Sequence, residues 1–87
     1  MTLLVDLKGF TLAHRIYYIE NNNVVGETRS TVKNIPEVIC NIVYTHDNVE
    51  KVILSGNEKY NNDIKEKLYY TYLTKYGKEC PFEIVQR

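Results

Sequence analysis

Tryptophan is absent from these 87 residues, and cysteine (2), proline (2) and glycine (4) are scarce. So little Gly and Pro excludes a collagen-like or low-complexity chain. The two cysteines, Cys40 and Cys80, stand far apart, in no zinc-ligand spacing and without the fuller disulfide framework of small secreted domains. They imply a reduced, cytoplasmic protein. An excess of one charge is also missing: eleven basic side chains balance eleven acidic ones. With no bulk field to attract a polyanion, any nucleic-acid contact needs a local basic patch. No apolar run approaches the roughly 20 residues of a membrane-spanning helix, and Asp6 interrupts the first run too early for a signal-peptide core. No membrane association is expected.

What remains is ordinary globular material, 44% hydrophobic and 25% charged. Tyrosine is unusually frequent (8), and Asn and Lys are plentiful, a usage that fits an AT-rich genome such as that of a phage or mobile element. Without linker, repeat or low-complexity tail, residues 1–87 form a single domain.

Periodicity then gives the elements. Leu3 to Leu7 is a continuous apolar run broken only by Asp6, which suits a strand buried on both faces. Leu12–Ile19 forms a second strand, and Asn21-Asn22-Asn23 turns the chain, because Asn tolerates left-handed backbone. Val24–Thr31 returns antiparallel, with Gly26 marking a bulge. Asn34, Pro36 and Glu37 open a helix with a capping box, and Ile35, Val38, Ile39, Ile42 and Val43 form its apolar stripe. Val49–Ser55 is a buried strand ending in the turn Ser55-Gly56-Asn57. A second helix spans about Asn62–Tyr76, capped by Gly77, with Tyr69, Tyr72 and Tyr76 on its apolar arc. Pro81–Val85 closes the chain as a short strand.

The resulting order is β-β-β-α-β-α-β: an α/β domain with a mixed five-stranded sheet, crossovers being expected to place one helix on each face. This order resembles the ribonuclease-H-like superfamily, which includes Holliday-junction resolvases, integrase-type enzymes and each half of the actin-like ATPases. Two short stretches carry the resemblance further. Asp6-Leu7-Lys8-Gly9-Phe10-Thr11 is similar to the aspartate-and-glycine turn after that superfamily's first strand, and Ile53-Leu54-Ser55-Gly56-Asn57 looks like the second phosphate-loop turn of the actin-like ATPases. The resemblance implies adjacent, parallel first and fourth strands. Ligands of open α/β sheets bind beyond the carboxyl ends of such strands, so Asp6, Lys8, Ser55, Asn57 and Glu58 are expected to meet at one edge.

Two chemistries compete there. A metal-dependent nuclease needs several carboxylates around paired Mg²⁺ ions. Asp6 matches the superfamily's first-strand acid, Glu58 stands in for the second and Asp63 for a third. Against this, Glu58 and Asp63 also fit solvated acids favoured at a helix N-terminus, and Asp6 fits a cap of the turn into Gly9. Neither His14 nor His46 stands in a nucleophile, zinc or phosphate-loop motif. Tyr70 falls on the polar side of the second helix near Lys67 and Thr74, where an exposed tyrosine can anchor a partner or stack on a base. Val24-Val25, on the expected edge strand, suits a two-fold strand contact.

The leading expectation is therefore a non-catalytic binding or adaptor module that contacts another protein through Lys8, Asn57 and Tyr70, without a cofactor, and that can also form a homodimer. The alternative is a small nuclease or resolvase-like enzyme acting on nucleic acid, with Asp6, Glu58 and Asp63 as its acids, Asp6 and Glu58 as metal ligands and Mg²⁺ as its cofactor.

Overall fold

The computed structural model describes residues 1–9 and 12–87. Phe10 and Thr11, the end of the first resembling stretch, lie outside the described residues. Five strands and two helices follow in the expected order: β1 (Thr2–Asp6), β2 (His14–Glu20), β3 (Asn23–Ser30), a 3₁₀ turn (Val32–Asn34), α1 (Ile35–Thr45), β4 (Lys51–Ser55), α2 (Glu58–Tyr76) and β5 (Glu83–Gln86). The strands form one mixed sheet in the order β3-β2-β1-β4-β5. The first three make an antiparallel meander, and β4 and β5 run parallel to β1.

Both helices cover the same face, which corrects the expectation of one on each. They pack directly together: the Tyr76 hydroxyl reaches the Cys40 carbonyl, the Tyr44 and Tyr76 rings stack 4.5 Å apart, and Lys75 meets Glu37 and Asn41. The strand order gives the reason. From β3 to β4 and from β4 to β5 the chain crosses the sheet in the same direction, so two right-handed crossovers must leave their helices on one side.

A one-sided helix layer also corrects the reading of β1 as buried on both faces. Leu3, Val5 and Leu7 are buried beneath the helices, whereas Thr2, Leu4 and Asp6 alternate to the other side and remain partly exposed. The core joins these β1 residues with Ile16, Val52, Leu54 and Ile84 from the sheet, Ile35, Ile39 and Val43 from α1, and Ile64, Leu68 and Tyr72 from α2. The helix-free face carries Leu4, Tyr17, Ile53 and Val85 side by side across four strands.

Several ends differ from the sequence reading for identifiable reasons. Leu12 is 94% exposed and β2 starts only at His14. Asn34 makes no side-chain cap to α1, because the 3₁₀ turn leads the chain into the helix instead. Glu37, expected in a capping box, points to Lys75. The second helix begins at Glu58, a full turn earlier than expected: the side chain of Asn57 accepts a hydrogen bond from the Tyr60 N–H at 2.8 Å. Its other end is as read, with Gly77 in the left-handed region (φ 68°). The register between β2 and β3 shifts at Tyr18/Ile19, leaving Val25 as the extra residue beside Gly26. A β-carbon on Gly26 would lie 3.1 Å from the Tyr18 ring.

Candidate functional site

At its carboxyl end β1 has an antiparallel neighbour on one side and a parallel one on the other. The chain leaves β1 toward the β2 hairpin and leaves β4 toward α2, so the two exits diverge and a cleft opens between them. It measures about 490 Å³ and is lined by Leu7, Lys8, Gly9, His14, Val32, Gly56, Asn57 and Tyr60.

Each wall has a local cause. Leu7 extends the β1–β4 ladder by donating its N–H to the Ser55 carbonyl at 2.7 Å. The Asp6 carboxylate then accepts the Lys8 N–H at 3.1 Å, and Gly9 takes φ +79°, turning the chain away. On the β4 side, Gly56 passes so close to β1 that a β-carbon there would sit 2.8 Å from the Leu7 β-carbon and 3.1 Å from Asn61 Oδ1. Asn61 is 1% exposed and holds this corner together. Its amide donates to the carbonyls of Leu54, Gly56 and Arg87, each at 3.2 Å, tying β4, the turn and the end of β5 to one side chain. Its Oδ1 is buried and meets no hydrogen-bond donor among the described residues.

His14 is the least expected member. It is 5% exposed, and its Nδ1 lies 3.0 Å from the Asp6 carbonyl, an acceptor that places the proton on Nδ1. Strand parity puts the ring on the helix side with Ile16, where the cleft lies. Tyr60 closes the far wall; burial raises its phenol pKa, opposed by Lys67 and reinforced by Asp63.

The structure brings Asp6, Lys8, Ser55 and Asn57 to this edge, with Glu58 directly after the cap. It does not gather the three acids. Asp6 alternates with Leu4 onto the helix-free face, where it borders Lys8, Arg15 and Arg29. Glu58 opens α2 on the opposite face. Asp63 lies further along α2, pairs with Lys67 at 3.0 Å, and lines a separate groove of about 590 Å³ with Val32, Pro36, Glu37 and Tyr70. Among the described residues, no three His, Cys, Asp or Glu side chains are close enough to hold a metal ion.

The chain matches no family model, and no curated protein or solved structure is significantly similar to it.

Tyr70, the third expected binding residue, is separated from Lys8 and Asn57. It stands on the helix layer, 71% exposed, beside the Asp63 groove. Other large side chains of the helix layer are exposed as well: Tyr69 and Leu73 line a groove with Glu79 and Cys80, and Tyr44 on α1 stacks on Tyr76. Of the tyrosines assigned to the core arc of α2, Tyr72 is buried and Tyr76 half-buried, but Tyr69 faces solvent. The two thiols offer no nucleophile. Burial is the main cause in both, pushing Cys40 up to about 11 and Cys80 up to about 12, so both stay protonated at neutral pH. No described helix is long and apolar enough to cross a membrane.

Proposed function

We propose that this chain is a non-catalytic binding module on a ribonuclease-H-like scaffold, acting in the cytoplasm through contact with another protein. The observation that supports this reading is the exposure of Tyr44, Tyr69, Tyr70 and Leu73 on the helix layer. Tyrosine suits such a role because it contributes a large, rigid contact area and a polar tip at small entropic cost. Tyr69 and Leu73, which line one groove together, go beyond the isolated apolar residues of an ordinary surface. The nuclease alternative draws less support, since Asp6, Glu58 and Asp63 occupy three different places.

The test is comparative affinity capture from extracts of the source cell, with the wild-type chain, Tyr70→Ala and Leu73→Glu as baits. A specific protein retained by the wild type and lost from both variants, with circular dichroism unchanged, is the expected result. Equal retention by all three would remove the helix layer from the function.

A further inference from the structure

The outer edge of β3 is unpaired, and its charges are oddly arranged. Arg29 lies directly opposite Arg15 of β2, a like-charge cross-strand pair that destabilises a sheet unless an acid relieves it. Arg15 has its acid, Glu27, at 3.5 Å. Among the described residues no salt bridge reaches Arg29: Asp6 lines the same groove without pairing with it, and Glu27, two residues away on the same face, pairs with Arg15. Val24 and Val25, at the start of the same strand, are 61% and 58% exposed.

We infer that β3 pairs antiparallel with β3 of a second copy of this chain, with Thr28 on the two-fold axis. In that register Glu27 faces the partner's Arg29, and Arg29 faces the partner's Glu27, so the unmatched arginine gains a carboxylate in each copy. Gly26 faces the partner's Ser30, and Val24 and Val25 run on toward the partner's Val32. Registers centred on Glu27 or Arg29 would set like charges against each other. The charges that blunt this edge against foreign strands therefore select one self-complementary pairing. The contact is short, which makes the dimer weak and reversible. Its charged centre, Glu27 and Arg29 on the edge strand β3, lies outside the groove that holds Tyr70, so charge reversal there tests the contact apart from the helix-layer reading.

Sedimentation velocity over protein concentrations up to about 1 mM tests it. The wild type should show a concentration-dependent monomer–dimer equilibrium. Arg29→Glu, which removes no ion pair and sets an acid opposite Arg15, should weaken association at least about tenfold while keeping the fold, and Glu27→Arg should do the same. An equimolar mixture of the two variants should associate again, because each then supplies the charges the other lacks. A wild type that stays monomeric throughout would overturn the inference. So would association that either reversal leaves unchanged, or a mixture that does not recover it.

Discussion

Replacing Asn61 offers the sharpest check on how the cleft is built. The side chain is 1% exposed and its amide serves three carbonyls. Two of those have second donors: Leu54 O accepts the Arg87 N–H at 2.8 Å, and Arg87 O accepts the Gly56 N–H at 3.1 Å. Asn61→Ala therefore leaves only the Gly56 carbonyl without a partner. One orphaned buried carbonyl, two weakened ones and a small cavity should together cost about 2–4 kcal/mol. A domain of 87 residues is stable by roughly 4–13 kcal/mol, so the loss is a large share of the total. Asn61→Asp keeps the shape but turns a carboxylate toward three carbonyl oxygens. Burial and those oxygens raise its folded-state pKa above the unfolded value near 4. Its stability is then complete below about pH 4 and declines as pH rises, by about 1.4 kcal/mol per unit until the folded-state pKa is reached. Urea unfolding followed by circular dichroism at about pH 4 and pH 7 separates the two effects. The deficit of Asn61→Ala should be similar at both pH values, whereas that of Asn61→Asp should grow by several kcal/mol. An Asn61→Asp protein as stable as the wild type at neutral pH would refute the three-carbonyl arrangement.

Two further outcomes follow from the same core. Gly56→Ala places a β-carbon 2.8 Å from the Leu7 β-carbon, and should lower the unfolding free energy by about 1–3 kcal/mol in a urea titration. Cys40 ionises near 9 when unfolded but is pushed up to about 11 in the fold, so stability is intact below pH 9 and falls as pH rises toward 11. The decline should be on the order of 2 kcal/mol, with Cys80 adding to it, and Cys40→Ala should flatten the slope of stability against pH whatever its cost at neutral pH.

Much of the scaffold was legible because it rests on local periodicity. The Ile- and Tyr-rich run Leu12–Ile19, the Asn21-Asn22 turn, the stripe from Ile35 to Val43 and the Gly77 cap are all statements about neighbouring residues, and they survive with shifted ends. Asn21 and Asn22 do adopt positive φ, at 51° and 64°. What could not be read locally is how elements meet. Helix placement depends on the strand order, and the order β3-β2-β1-β4-β5 makes both crossovers run in one direction. The acids illustrate the same limit: Asp6 and Glu58 are brought to one edge by topology, yet strand alternation turns Asp6 to the helix-free face while Asp63 lines a groove of the helix layer. Asn61 left no usable signal, because the expected helix began only after it; once α2 starts at Glu58, an asparagine inside the helix asks for a reason. His14 left none, because its partner is a backbone carbonyl eight residues away.

The most direct test of a non-catalytic module is a Mn²⁺ titration of the ¹⁵N-labelled protein, with amide signals followed by NMR and Mg²⁺ as competitor. Because no three His, Cys, Asp or Glu side chains gather among the described residues, only weak, unsaturable broadening spread over exposed carboxylates is expected. Saturable broadening that peaks together at the amides of Asp6 and Glu58, and is reversed by Mg²⁺, would contradict it and restore the nuclease reading.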